Sequence, residues 1–416
     1  MIPAIAALQP RQVAMPNGNS LNLFASGSID MLKVDFAFEA GSVYQSRPLI
    51  AAAAVKLLTE GSRSHSAQEV AEFMDYRGIT VEKAPDFYTA TLTAYLMPKY
   101  AADFLPLLRE LMTEPSYPAD EVRLHAAMRR QQLQASWQRT NYVARNLFYE
   151  RLFGPSHPLS VCAVPDDVEG LTPEALANFH AAHYRLADAT IALAGNYNDD
   201  TVGLMQSLFG SPEAGMASRF APQAVPQPPQ TDTGHLHRSL PQAAQDTLRL
   251  GRLLPFEWHS PDYARFMVLN TILGGYFGSR LMSNLREDKG YTYGIYSQTH
   301  IMRSQLMFYV TAEVDSDHRN DALLQVRHEM ERLQNEPVPD AELQLIRSYM
   351  KGDFMRSVDG VFECSERYLN LCATNIDDRL GDNLLRAIDE VTPAMLMELA
   401  QRVLDYNTMT IVTVGR

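Results

Sequence analysis

The 416-residue chain has only three cysteines, Cys162, Cys364 and Cys372, an odd number without a Cys-x-x-Cys spacing. Neither a disulfide framework nor a cysteine-ligated zinc site is encoded, and a reducing compartment, the cytoplasm, is the expected location. Positive charge is also in deficit. Against 49 Asp and Glu stand 36 Lys and Arg, a net charge of −13, so the surface repels phosphate backbones and anionic lipid. Neither nucleic acid nor a membrane is expected as a partner. No apolar run approaches the roughly 18 residues of a membrane span, and Met1 to Gln12 is interrupted by Pro3 and Pro10 with no basic stretch, so no targeting segment is expected. Missing too are His-Glu-x-x-His, His-x-x-Glu-His, Gly-x-Ser-x-Gly and Gly-Lys-Ser/Thr, the signatures of helical zinc peptidases, serine hydrolases and phosphate-binding loops.

What remains is ordinary globular material: 46 % hydrophobic, 20 % charged, with 24 Pro and 22 Gly, long enough for two or three domains. The chain also repeats itself. Leu171-Thr172-Pro173 leading to Thr190-Ile191 and Gly195 recurs as Val391-Thr392-Pro393 leading to Thr410-Ile411 and Gly415, each position offset by 220. Thr is a good N-cap and Pro suits the first helical position, so a helix and then a buried strand are predicted in both copies. Glu114-Pro115 with Pro118 and Glu121 recurs as Glu336-Pro337 with Pro339 and Glu342, at offsets of 221 to 222. Between the copies, residues 215–238 are rich in proline (Pro222, Pro226, Pro228, Pro229) and read as a semi-rigid linker. The expected organisation is therefore 1–214, a linker at 215–238, and 239–416, each half mixing strands and helices.

Alternation over Leu32 to Phe38 and Tyr88 to Leu96 predicts half-buried strands, with Leu306 to Val314 their likeness in the second half. Ser66-Ala67-Gln68-Glu69 is a capping box opening a helix to about Tyr76, and Phe104, Leu108 and Leu111 share a helical face. Pro118 to about Phe153 reads as one long helix. From Arg123 to Tyr149 it holds no acidic residue but several arginines, either a solvated face or the cationic wall of a substrate chamber. His180 and His183, three apart, lack a third ligand and read as structural, and His235 and His237 read as solvated.

The densest unusual segment is Gly274-Gly275-Tyr276-Phe277-Gly278-Ser279-Arg280-Leu281, followed by Leu285-Arg286-Glu287-Asp288-Lys289-Gly290-Tyr291-Thr292-Tyr293. Taken alone it is a glycine-permitted turn between helical segments. With the duplication, the linker and His157-Pro158, however, it resembles the second-half signature of the pitrilysin/insulinase family of zinc metallopeptidases, in particular the bacterial branch related to mitochondrial processing peptidase. The resemblance covers nearly the whole chain and implies an α+β fold of two homologous halves, each a mostly antiparallel sheet packed with helices on one side.

In that family the first half carries His-x-x-Glu-His after an Ala-Gly-Ser strand end, here Ala40-Gly41-Ser42. Counted back from Gly61-Ser62, the motif falls on Ala52, Ala53, Ala54, Val55 and Lys56, and the third ligand falls near Gln131 or Gln132. None of these is a zinc ligand, so no cofactor is expected in this chain. The family's paired arginine and tyrosine match Arg286 and Tyr293, and the glycine-rich positions Gly274, Gly275, Gly278 and Ser279 match its substrate-binding segment. The resemblance thus implies a non-catalytic subunit. It would lend Arg286 and Tyr293 to the active site of a homologous partner that carries the zinc, with unfolded peptide as substrate held in a clam-like chamber. The alternative is a structural or assembly protein of the same superfamily with no role in proteolysis.

Overall fold

A computed structural model describes residues 9–212, 215–216, 232–303, 305–377 and 379–416; Pro222, Pro226, Pro228 and Pro229 of the expected linker lie outside these. In chain order the elements are β1 (Arg11–Ala14), β2 (Ser20–Ala25), β3 (Leu32–Phe38), α1 (Ile50–Lys56), α2 (Ala67–Arg77), β4 (Thr80–Pro85), β5 (Ala90–Leu96), α3 (Ala101–Thr113), α4 (Ala119–Ser136), α5 (Thr140–Phe153), α6 (Pro173–His183), β6 (Thr190–Gly195) and α7 (Asp199–Phe209). They continue as β7 (Gly234–Ser239), β8 (Asp246–Leu253), α8 (Pro261–Asn270), β9 (Ile295–Met302), β10 (Gln305–Val314), α9 (Arg319–Asn335), α10 (Asp340–Arg356), α11 (Val361–Thr374), α12 (Arg379–Glu390), α13 (Pro393–Val403) and β11 (Thr410–Gly415). Among the described residues no helix is long and apolar enough to cross a membrane.

The fold is α+β and duplicated. One sheet has the order β1-β2-β6-β3-β5-β4, the other β7-β11-β8-β10-β9. In each, one parallel pair, β2 with β6 and β7 with β11, joins otherwise antiparallel neighbours. The repeated Thr-Pro segments become α6 and α13, with the Thr172 and Thr392 hydroxyls accepting from Ala175 N and Met395 N at 3.1 and 3.3 Å. Both helices lead into strands that stay 220 residues apart, β6 and β11. Register extends the equivalence: Asp35 pairs with Ala192 and Arg249 with Val412, so Asp35 and Arg249 hold the same place in the two sheets.

The chain forms two compact units, each borrowing a helix from the other half of the sequence. The first comprises Met1–Leu133, Cys162–Val225 and Ser357–Ala373, and the second Gln134–Val161, Pro226–Arg356 and Thr374–Arg416. In the first unit, β3 lays Phe36 and Phe38 against Phe209 of α7 and Tyr184 after α6, at ring separations of 4.8 and 5.0 Å. Its opposite face is covered by α11, whose Phe362 and Tyr368 pack on Tyr95 and Phe24. All seven β3 residues are consequently buried, where alternation predicted a half-buried strand. The polar alternates Lys33 and Asp35 meet a borrowed helix instead of water. In the second unit α5 packs on β8 and β11 in the same manner.

The expected single helix from Pro118 to Phe153 is two helices. It breaks between Ser136 and Thr140, with Arg139 extended at φ −98°, ψ 128°. No proline or glycine marks the break; α4 up to Leu133 belongs to one unit, and its last residues and α5 to the other, where Thr140 and Thr247 hydroxyls bond at 2.9 Å. Tertiary packing here overrides a continuous helical pattern. The capping box at Ser66 forms reciprocally with Glu69 and opens α2.

His180 and His183 bond backbone carbonyls, Met112 O at 2.9 Å and Glu39 O at 3.1 Å. Burial pushes both imidazoles below their usual pKa, against the pull of those carbonyls. The folded protein therefore refuses protons that the unfolded chain accepts below about pH 6.5, and stability falls with acidification until the depressed folded values are reached. We expect the urea midpoint to drop between about pH 7.5 and about pH 5.5. The drop should be smaller in His180→Gln, whose amide still donates to Met112 O; equal slopes in the two proteins would contradict this.

Candidate functional site

Three of the four positions that the resemblance matches to a metal motif come together in the first unit. Ala52 and Lys56, one helical turn apart on α1, line a cavity of about 550 Å³ with Gln132 of α4, while Val55 is fully buried and outside its walls. The other walls include Glu60, Lys83, Glu121, His125 and Arg129. The Lys56 ammonium donates to the Lys83 carbonyl, and Lys83 donates to the Thr59 hydroxyl and sits 3.5 Å from Glu60. Burial pushes the Lys83 ammonium below its usual pKa against the pull of Glu60, and His125 is lowered by burial and by Arg129. Gln132 accepts from Arg129 at 3.3 Å.

This donor set does not fit zinc. Alanine offers no lone pair, an ammonium offers charge of the wrong sign, and among the described residues no three His, Cys, Asp or Glu are placed to hold a metal. Elemental analysis of the protein purified without added metal should find zinc well below stoichiometric; one zinc per chain surviving dialysis would overturn this.

The glycine-rich segment lies in the second unit. The helix α8 ends in a π-turn, Thr271–Gly275, and a second π-helical stretch runs Met282–Asp288. Gly274 is needed for packing: a Cβ there would stand 2.7 Å from Ser297 N on β9. Gly274 and Ser279 are buried, whereas Gly275 and Gly278 are exposed. Arg280 locks the segment to α10 through a two-pronged bond to Glu342, at 3.0 and 2.8 Å. Arg286 stacks its guanidinium 4.4 Å from the centre of the exposed Phe277 ring. Tyr291 donates to Asp321 at 2.7 Å and the Thr292 hydroxyl to Glu313 O at 2.7 Å. Held between these anchors and β9, Tyr293 is 90 % exposed.

A cavity beside Tyr293 takes part of its wall from the arginine run that the sequence offered as a chamber wall, and adds Arg249, which the sequence reading missed. It measures about 630 Å³ and is lined by Arg139, Arg145, Arg249, Tyr142, Tyr293 and Tyr296, among others. Of the arginine run, Arg130 pairs with Asp166 and Glu169, while Arg139 and Arg145 stand exposed at this cavity. Arg249, on β8, is only 8 % exposed, its guanidinium 4.0 Å from the centre of the Tyr309 ring, and its Nε has no hydrogen-bond partner. Burial pulls its pKa below the usual arginine value. The signal was present as an arginine inside the apolar run Leu248-Arg249-Leu250.

Residues 170–350 match the family model described as the peptidase M16 inactive domain. An uncharacterized zinc protease of Mycobacterium tuberculosis is 24 % identical over 96 % of this chain and 92 % of its own length. A probable inactive metalloprotease of Bacillus subtilis is 19 % identical over 72 % and 70 %. The crystal structure of a peptidase M16 inactive domain from Pseudomonas fluorescens superposes with a TM-score of 0.87, at 22 % identity and 98 % coverage of both chains. The chain is thus similar over nearly its whole length to pitrilysin/insulinase (M16) peptidases, and residues 170–350 match the domain described as inactive in them.

Proposed function

We propose that this chain is the non-catalytic, site-completing subunit of a heterodimeric zinc endopeptidase. Its partner is a homologous chain that carries His-x-x-Glu-His and the zinc, and the substrate is unfolded peptide. The observation that carries the reading is Tyr293, a phenol 90 % exposed two residues before the edge strand β9, in a chain with Ala52, Val55, Lys56 and Gln132 at the positions matched to the family's metal motif. A phenol so placed has no packing role, and it suits donation to an oxyanion formed elsewhere. An arginine fork such as Arg286 can hold a substrate carbonyl. The exposed edge of β9 offers backbone groups to which an extended peptide adds as a further strand. Gly275 and Gly278 let a substrate backbone approach the same region, while Gly274 and Ser279 support it from beneath.

The test is reconstitution. The chain is mixed or co-expressed with a zinc-motif homologue from the same organism, and cleavage of an unstructured peptide is followed. The pair should cleave where neither chain alone does. A stable complex that cleaves nothing would favour the assembly role open to this superfamily, and no gain with any zinc-bearing homologue would end the subunit reading.

A further inference from the structure

We propose that the arginine-lined cavity of the second unit is a subsite for a peptide carboxylate, so that the protein prefers acidic peptide segments. The proposal deepens the subunit reading and rests on it for the substrate being a peptide.

Charge is the first argument. The walls carry three guanidinium groups, Arg139, Arg145 and Arg249, against one exposed carboxylate, Glu313, in a chain whose net charge is −13. Burial is the second. Arg249 is more than nine-tenths buried, its Nε is unpartnered, and among the described residues no carboxylate pairs with it. A buried charge without a counter-charge is unfavourable, and a ligand that brings the counter-charge removes the penalty.

The duplication supplies an internal control. At the equivalent place in the first sheet stands Asp35, which closes an ion pair with Lys33 at 3.1 Å and accepts from Thr93 at 2.7 Å. The position equivalent to Lys33 is Thr247, and that equivalent to Thr93 is Thr311, which lines the cavity. One copy of the layout is thus electrically closed and filled, while the other is cationic and open. The 14-residue helix α5 adds its N-terminal end to the same wall, with no acidic residue in its first turn.

Guanidinium groups take carboxylate and phosphate alike. Peptide is favoured here because Tyr142, Tyr293 and Tyr296 give the cavity apolar surface for a side chain, beside the strand edge where a peptide would add.

Fluorescence anisotropy with the isolated chain tests this, using a labelled unstructured peptide rich in Glu and the same peptide with Gln in place of Glu. The Glu peptide should bind at least about tenfold tighter, with the difference shrinking as salt is raised. In Arg139→Gln/Arg145→Gln, both exposed positions, the two peptides should bind nearly alike, and Arg249→Gln should do the same if circular dichroism shows it folded. Equal binding by the wild type, binding of neither peptide, or a preference kept by the double variant overturns the proposal. Displacement of the Glu peptide by an equal concentration of inorganic phosphate also overturns it, in favour of a phosphate site. The partner is absent from this measurement, so failed reconstitution of cleavage leaves the subsite standing. Reconstituted cleavage without any acidic preference overturns the subsite alone.

Discussion

Asp35→Ala should destabilise the first unit by about 3–5 kcal/mol, the usual result of removing one member of a buried ion pair. The Lys33 and Asp35 side chains are 4 % and 1 % exposed. Lys33 also donates to the Ser365 hydroxyl at 2.9 Å, and Ser365 reaches Asp35 at 3.4 Å, which ties β3 to α11. Burial holds the Asp35 carboxyl above its usual pKa, while Lys33 and the hydroxyls of Thr93 and Ser365 pull it back. Alanine leaves the ammonium buried with one hydroxyl for company. Lys33→Met/Asp35→Leu removes both charges and fills the space, and should recover most of the loss. Denaturant unfolding checks both proteins, read as two transitions if the units unfold separately. A double variant as unstable as the single one would show that packing, not the unpaired charge, sets the penalty.

Tyr293→Phe and Arg286→Ala should each lower kcat of the reconstituted peptidase by about 100-fold, the scale seen when one oxyanion donor is removed. The folded chain should hardly notice: Tyr293→Phe deletes a single oxygen from a side chain 90 % exposed, and stability should change by less than about 0.5 kcal/mol. The contrast matters, because a loss of cleavage with an unchanged unfolding curve and unchanged partner binding assigns the effect to the reaction. Should both variants support cleavage at the wild-type rate, these residues do not complete the partner's site.

Features set by local chemistry were legible in the sequence. Thr172-Pro173 and Thr392-Pro393 announce their helices because the cap and the first-turn proline act over four residues, and the Ser66 box does the same. Three of the positions counted from Gly61-Ser62 and the following long helix, Ala52, Lys56 and Gln132, share one cavity. What depends on distant partners was not. The second covering of β3 comes from Ser365, 332 residues beyond Lys33, and no alternation pattern carries that information. The break at Trp137–Arg139 has no local breaker, since it follows from α4 and α5 joining different cores. The cavity needed Arg249 placed beside Arg139 and Arg145, more than 100 residues earlier in the chain.

The traded helices bear on how such a protein can arise and be handled. A polypeptide ended near residue 212 would keep α5 with no sheet to lie on and lose the helix that shields Lys33 and Asp35, and the remainder would miss α5 in turn. The two halves behave like a domain-swapped pair fused into one chain, each acting as chaperone to the other's unfinished sheet. Fragments cut between them should therefore be insoluble when made singly and recoverable when made together.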